Sequence, residues 1–567
     1  MSYLDVPRLH FAGSFIAKPS TVNNIPTNYD PATPGTTGLV LSWNPNGNHD
    51  WEFLDCTVRT AVTGDGTIWN AERSEPIIGA GVQSRSRPPF NAKLVDLDTE
   101  QQMVSQIWGL RINVAVSATE YVVGNFRPMS FDDIWARVPD GQQDWMFSAY
   151  YQSVLEDLTW GDNATSPFLR ELCKASPDKL SIKFVVDAYQ DLYYMKDFNR
   201  GRIVGTIGPA YDDEPPNFLK GRQLRPFGQN SPLNYGYAKV DKSRRKLVVD
   251  LGNSVPTQSD HSTKPPSQSE TSPPIDVGTL IVAVVPAKGD PDELGKYDYS
   301  LETYLAAAGV QEYFLTDAQL SALADTPIGV IQTRPPKGTK KAAGTLLQES
   351  PSGAYINCTQ PFLRMNPGES CSVELFAFQF GEPAAKQSIA LGFNNSALQG
   401  QEPAIPPAPA YWAVGVPASA LTFPQSVVTD SRGRATFDLA ASDPGNPRQV
   451  IDGQVYGVGF SWALDNLPNF PPDSNNFVSV LVFDSFKKEP TWENLQPFLM
   501  QYAVLYPFMD SIFILSDPEV YRQNMKAFKR VISLPITDPG HMPVTRDMSR
   551  DKRQALLAWL NKGAPLS

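Results

Sequence analysis

The sequence predicts a mainly β protein with α elements: an antiparallel β-rich body, a β-sandwich and a small C-terminal helical domain. Three observations point there. Apolar residues alternate with a period of two through most of the chain, as half-buried antiparallel strands require. Glycine (39) and proline (51) are plentiful among 567 residues, which suits many strands joined by turns. Helical spacing with caps dominates only after Trp492.

In chain order, Pro19 to Gly38 is a coil rich in Pro, Thr and Asn. Alternation then places strands on Cys56, Val58, Thr60 and Val62, on Leu110, Ile112, Val114 and Val116, on Leu180, Ile182, Phe184 and Val186, and on Leu247, Val249 and Leu251. Two helices are expected among them. Glu100 to Trp108 carries Met103, Val104 and Ile107 on one face. Asp144 to Leu158 carries Phe147, Tyr150, Tyr151, Val154, Leu155 and Leu158 at helical spacing. Residues 1–256 are therefore expected to form a β-rich N-terminal domain with two helices.

Thr257 to Pro274, rich in Ser, Gln, Lys and Pro, cannot build a core and is either an interdomain linker or a surface loop. Beyond it, Thr279 to Val285 reads as a strand, and short helices are expected at Leu301 to Ala308 and after Thr316. Strands at Phe376-Phe378-Phe380, Thr436 to Leu439, Tyr456 to Trp462 and Val478 to Val482, with the turn Asp443-Pro444-Gly445-Asn446-Pro447, fit a sandwich of about seven strands over 275–488.

The tail, 489–567, opens with the stripe Leu495, Leu499, Ala503 and Tyr506, closed by Pro507. Asp517-Pro518-Glu519 is a helix start with an N-cap, Pro at the first turn and a carboxylate at the positive end. Val520, Tyr521, Asn524, Met525, Phe528 and Ile532 continue it as one stripe. A last helix starts at Ser549, carries Leu556, Trp559 and Leu560, and stops at Gly563 before Pro565. Here Tyr502-Ala503-Val504-Leu505-Tyr506 stands on the opening helix and His541-Met542-Pro543 precedes the last. In this the tail resembles the cytochrome c class of helical domain, without its Cys-x-x-Cys-His. Covalent haem is excluded because no thioether cysteine is present. The resemblance leaves open a non-covalent haem with Met542 or Tyr506 as axial ligand. The alternative keeps Met542 as core packing.

The formal charge is −12, and the tail from Glu489 carries nine Lys/Arg against eight Asp/Glu, which leaves −13 for the rest. An acidic body repels phosphate backbones and argues against nucleic acid as a partner. Arg522, Lys526, Lys529 and Arg530 cluster on one helix and are expected to be a solvated face. No apolar run is long enough for a bilayer and no targeting signal is recognised, so a soluble, cytoplasmic protein with no membrane partner is expected. The four cysteines, Cys56, Cys173, Cys358 and Cys371, lack metal or scaffold spacing and are expected to be free thiols, although Cys358 and Cys371 could meet on neighbouring strands.

Few residues suit catalysis. Among the four histidines, His261 lies in the low-complexity stretch and His541 follows Asp538-Pro539-Gly540, where a surface turn is expected. Arg8 and His10 share one face of an alternating segment; the pair could bind a carboxylate and move a proton, or tie the first strand to a neighbour. His49-Asp50 could be half of a metal site, but no third ligand follows by spacing, so no metal is assigned. Trp43, Trp51, Trp69, Trp108 and Trp135 suit a flat aromatic ligand or a β core.

One stretch links the chain to a known family. Asp5-Val6-Pro7-Arg8-Leu9-His10-Phe11-Ala12-Gly13 resembles the opening of the imine dimer synthases of bisindole pathways, the VioB type and its chromopyrrolate synthase relatives. Asn44-Pro45-Asn46-Gly47-Asn48-His49, Ser105-Gln106-Ile107-Trp108-Gly109 and Ile203 to Gly208 agree in order. So do Gly221 to Pro226, Leu505-Tyr506-Pro507-Phe508-Met509 and Met542-Pro543-Val544-Thr545-Arg546. These matches are short and collinear over nearly the whole chain.

The resemblance implies a stand-alone biosynthetic enzyme of specialised metabolism, oxidoreductase- or lyase-like, acting on a small aromatic carboxylate-bearing substrate. Arg8, His10, His49 and Tyr506 would be its catalytic residues. The family also carries a ferritin-like domain. No histidine here has Glu three positions before it, so a di-iron site of that kind is not expected in this sequence. A non-catalytic module that docks a separate ferritin-like subunit is the alternative, and a carbohydrate-binding sandwich is a third.

Overall fold

The computed structural model describes residues 2–19, 47–71, 75–84, 91–98, 104–137, 147–190, 199–228, 230–258, 272–338, 343–398, 413–448, 451–463 and 476–566. The protein is mainly β, with antiparallel sheets, short helices at Pro167–Ala175, Leu301–Ala307 and Asp317–Ala322, and a further group of helices at the C-terminus.

The first sheet closes on itself. Strand Arg8–Ala17 pairs with Arg200–Pro209 on one side and Asp50–Val62 on the other. Leu180–Asp187, Phe147–Trp160, Tyr121–Phe126, Arg111–Ala115 and Gly81–Ser84 complete the circuit. Closure leaves these strands without a free edge. Its interior is filled by rings: Phe15 on Trp51 at 5.0 Å, Tyr151 on Phe184 at 5.2 Å and Phe53 against Phe184 at 5.6 Å. Trp51 thus belongs to a packed core; Trp43 lies outside the described residues.

Two expected helices contain strands where they are described. Phe147–Trp160 pairs with Leu180–Asp187 and with Tyr121–Phe126. Ala149, Tyr151 and Leu155 enter the barrel core while Tyr150 joins a second cluster behind it. A strand apolar on both faces offers apolar residues at every spacing, so three- and four-residue steps appear without a helix. Likewise, Gln106–Trp108 is a strand paired with Ala92–Val95. Residues 99–103, where the rest of that expected helix falls, lie outside the description. A helix not anticipated, Pro167–Ala175, is capped by Ser166 and starts with proline.

The second sheet has eight strands, and it spans the segment 257–274. Arg222–Pro226, Gly236–Asp241 and Lys246–Asp250 precede that segment; Thr279–Val284, Asp292–Tyr297, Val310–Phe314, Ile328–Arg334 and Gly344–Glu349 follow it. Lys246–Asp250 pairs directly with Val310–Phe314. The expected division between 1–256 and 275–488 therefore runs through a sheet rather than between two. Thr257 bridges Pro274, so the ends of the segment meet.

Two five-stranded sheets then enclose one core, with Val373, Leu375 and Leu439 of one against Tyr456, Val458 and Val480 of the other. This is the sandwich, and it starts at Ala354 rather than near 275. The tail helices are Trp492–Leu505, Pro518–Gln523, Met525–Ser533 and Arg550–Asn561. Asp517 caps the second through Glu519 N, and Ser549 caps the last through Lys552 N. The expected continuous helix from Pro518 to Ile532 breaks at Asn524 (φ −116°, ψ 24°), whose side-chain amide donates to Val520 O at 2.9 Å. Asparagine competes for local backbone partners in this way. Among the described residues no helix is long and apolar enough to cross a membrane.

Candidate functional site

Arg8 and His10 do come together, but inside the protein. Each is only 2 % exposed. Arg8 Nε donates to His10 Nε2 at 3.4 Å, Nη1 to Leu4 O at 2.7 Å and Nη2 to Glu312 at 2.6 Å. Since an arginine nitrogen can only donate, His10 Nε2 accepts and Nδ1 carries the hydrogen, facing Thr206 Oγ1 at 2.9 Å. Burial, and then the Arg8 charge, depress the imidazole well below its usual range. Glu312 also takes Arg244 at 2.8 Å and Lys246. Burial would raise that carboxyl, yet Arg8, Lys246 and Arg244 hold it down to about 2. Of the two readings of this pair, the geometry is that of the tie, here between the barrel and the eight-stranded sheet.

His49 and Tyr506 also meet, at a different place. Their rings stand edge to face with centroids 5.7 Å apart. His49 adopts a left-handed backbone (φ 62°), and its Nδ1 donates to Leu94 O at 2.9 Å. Burial drives its pKa down to about 4 against the help of that bond. Tyr506 ends the first tail helix, and its hydroxyl donates to Asp547 at 3.3 Å; Tyr502 donates at 3.1 Å and Thr545 at 2.5 Å. Burial raises the Asp547 carboxyl although Thr545 and Tyr502 favour its charged form.

Trp108 lies beside this group, with Arg546 over its ring at 4.9 Å and Arg364 at 6.0 Å. Arg364 reaches Gln106 Oε1 at 2.8 Å and Leu97 O at 3.0 Å, while Arg546 reaches Ile536 O at 2.9 Å. Gly109 (φ 68°) lets Pro539 approach, since a Cβ there would lie 2.8 Å from Pro539 Cβ. First sheet, sandwich and tail thus lock together through Trp108, Arg364 and Arg546. His49, Trp108, Tyr506 and the adjacent Thr545 and Arg546, from four separate stretches of the sequence, share this junction.

The remaining candidates separate. His541 is buried (1 % exposed), not at the surface; Nδ1 donates to Leu534 O at 2.9 Å and burial lowers its pKa to about 4. His261 lies outside the described residues. Tyr506 is committed to Asp547 and His49, so it does not fit as a haem ligand without losing both; Met542 is partly buried, with its backbone N donating to Val531 O at 3.2 Å. Among the described residues no group of three or more His, Cys, Asp or Glu could hold a metal. All four cysteines are free, and Cys358 stands opposite Leu375, not Cys371.

The open concavity holds none of these residues. A cleft of about 240 Å³ runs between the barrel (Arg127, Lys179), the Ala210–Pro216 connection and the sandwich (Glu374, Phe376, Arg434). Its cations are accessible: the Arg127, Lys179 and Arg434 side chains are 40 %, 38 % and 26 % exposed. Arg127 pairs with Glu156 at 2.5 Å and Lys179 with Asp212 at 2.6 Å. Arg434 lies over the Phe376 ring at 5.0 Å, donates from Nη2 to Asp213 O at 3.4 Å and reaches Glu374 at 3.8 Å. Its Nε has no hydrogen-bond partner among the described residues. Burial, then Asp5, raises the Tyr211 phenol in this lining, which keeps it a hydrogen-bond donor. No spacing in the sequence singles out these cations, because they come from unconnected loops and strand ends.

No family model and no curated protein matches this chain. Among solved structures it is similar to domains 4 and 5 of the S-layer protein SbsC, with 8 % identity, 46 % of this chain and 97 % of that chain covered, and a TM-score of 0.15. The longer S-layer structure rSbsC(31-844) gives 7 % identity over 72 % of this chain and 48 % of that one, also at a TM-score of 0.15. Similarity at that level carries no argument about fold or function.

Proposed function

We propose that this protein serves specialised metabolism by binding a small aromatic carboxylate in the cleft between Arg127, Lys179 and Arg434. The loosely partnered Arg434 carries the reading: its guanidinium, a quarter exposed, lies on Phe376 and makes only long contacts, to Asp213 O at 3.4 Å and Glu374 at 3.8 Å, so its terminal nitrogens can donate to a carboxylate. The cleft's 240 Å³ falls below the roughly 300–1,000 Å³ of pockets for drug-sized ligands, so the occupant is a monomeric precursor rather than a coupled two-ring product. The resemblance to imine dimer synthases supports an amino-acid-derived acid as that precursor.

Arg8, His10, His49 and Tyr506 are not carried into the cleft by this reading. Binding and orientation are assigned to Arg127, Arg434 and the Tyr211 hydroxyl. Calorimetric titration with phenylpyruvate and indole-3-pyruvate, with indole-3-acetamide as the neutral control, tests it. The acids bind and the amide does not, and Arg434→Ala weakens the acids tenfold or more. Equal binding of acid and amide, or none of either, overturns it.

A docking role is the second reading, favoured by Ile512 and Ile514 of the tail, which are 54 % and 51 % exposed. It expects a stable complex with a separate ferritin-like subunit, lost in the Ile512→Asp/Ile514→Asp double variant, and no turnover by this chain alone. Turnover by the isolated chain would remove it.

A further inference from the structure

The lining of the cleft is electrically balanced. Among the described residues it carries three cations, Arg127, Lys179 and Arg434, and three carboxylates, Asp212, Glu214 and Glu374. Four of these six groups have close partners. Arg127 is paired with Glu156 outside the lining at 2.5 Å, Lys179 with Asp212 at 2.6 Å, and Glu214 with Lys239 outside the lining at 3.2 Å. One loosely held charge of each sign is left, Arg434 and Glu374.

A strand pair fixes where those two stand. Ser370–Gln379 runs antiparallel to Arg434–Ala441, with Phe376 opposite Arg434 and Glu374 opposite Thr436. Residues two apart on a strand share a face, so Val373, Leu375 and Ala377 enter the sandwich core while Glu374 and Phe376 line the cleft. Phe376 carries Arg434 over its ring at 5.0 Å and is itself held edge-on by Phe218 at 5.8 Å. Glu374 N donates to Gln360 Oε1 at 3.1 Å and Glu374 O accepts from Thr359 N at 2.9 Å. Those bonds hold the backbone of Glu374 and leave its carboxylate unspent. It meets Arg434 Nη1 only at 3.8 Å, well beyond the roughly 2.7–2.9 Å of a closed charge-assisted hydrogen bond. The two side chains are 26 % and 33 % exposed, so a ligand in the cleft can reach both.

We propose that the cleft selects the zwitterionic head of a free aromatic α-amino acid, with Arg434 binding the carboxylate and Glu374 the ammonium. The four charges then alternate in sign, and each unspent group gains the partner it lacks. A 2-oxo acid or a simple carboxylate fills only the arginine side and brings its negative charge up to Glu374, where like charges repel. Val154, Pro215 and Pro216 supply apolar wall for the ring. This selection rests on the cleft taking a carboxylate, and adds a second charged contact to it.

Calorimetric titration of the whole chain at neutral pH with phenylalanine, 3-phenylpropionate and phenethylamine tests the assignment, since the last two lack the ammonium and the carboxylate respectively. Phenylalanine should bind about fivefold or more tighter than either. Glu374→Gln keeps the size of a partly exposed side chain, so the fold is retained. It should bring phenylalanine down to the level of 3-phenylpropionate, with the latter bound at least as well as by the wild type. Equal binding of phenylalanine and 3-phenylpropionate overturns the amino-acid assignment and leaves the carboxylate cleft standing. An unchanged preference in Glu374→Gln does the same. Binding of neither acid removes the carboxylate cleft, and this assignment with it.

Discussion

The junction at Trp108 and the cleft at Arg434 are both polar, and both join the barrel to later parts of the chain. They differ in how their charges are held. At the junction, Arg546 spends all three nitrogens on backbone oxygens, Arg364 spends both terminal ones on backbone and amide oxygens, and Asp547 collects three hydroxyl donors. In the cleft, the cations are a quarter to two-fifths exposed: Lys179 makes one contact, Arg434 only long ones, and Arg127 a two-point pair with Glu156 at the surface. Residues that read as reactive in the sequence are therefore consumed in holding the parts together. Residues that read as ordinary surface charges are the ones left for a ligand.

The sharpest test of that contrast is to break a tie. Removing Glu312 strands Arg8 and its neighbours without a counter-ion in a buried setting, so Glu312→Ala should cost about 3–5 kcal/mol in a denaturant titration. Trp108→Ala removes the ring between two guanidiniums and should cost a similar ~3–5 kcal/mol. A cost below about 1 kcal/mol at Trp108 would mean that the tail is not anchored there.

Acid should loosen the same ties. His49 and His541 have folded pKa values lowered to about 4, below the ordinary 6.5. Between those values the unfolded chain takes up protons that the folded one refuses. Their contribution is complete above 6.5 and falls with pH towards 4, by at most about 1.4 kcal/mol per pH unit for each histidine. His49→Asn should flatten the measured slope. Glu312 acts lower: its folded value is depressed from 4.5 to about 2, so its contribution holds above 4.5 and is lost as pH falls through 2.

The cleft should behave oppositely. Arg434→Ala and Arg127→Ala should each weaken carboxylate binding about tenfold, or ~1.4 kcal/mol, with stability changed by less than about 1 kcal/mol. Lys179→Ala, whose partner Asp212 is 90 % exposed, should move the melting midpoint least, within about 0.5 kcal/mol. If the cleft variants unfolded the protein and the tie variants did not, the comparison would invert.

Where a structure is local, the sequence suffices. Leu180–Asp187 alternates and is a strand; Asp517 and Ser549 are caps, and the last helix ends before Gly563, whose φ is +86°. Each is decided within a few residues by backbone geometry and short hydrogen bonds. Phe147–Trp160 was not legible, because burial on both faces erases the period that separates strand from helix. The closed barrel, the sheet that spans 257–274, the burial of Arg8, His10 and His541, and the cleft itself were decided only by tertiary structure. Arg8 meets Glu312 across 304 positions and Arg364 meets Gln106 across 258. A contact over such distances has no local signature: it exists only once the strands between have paired and removed both groups from water.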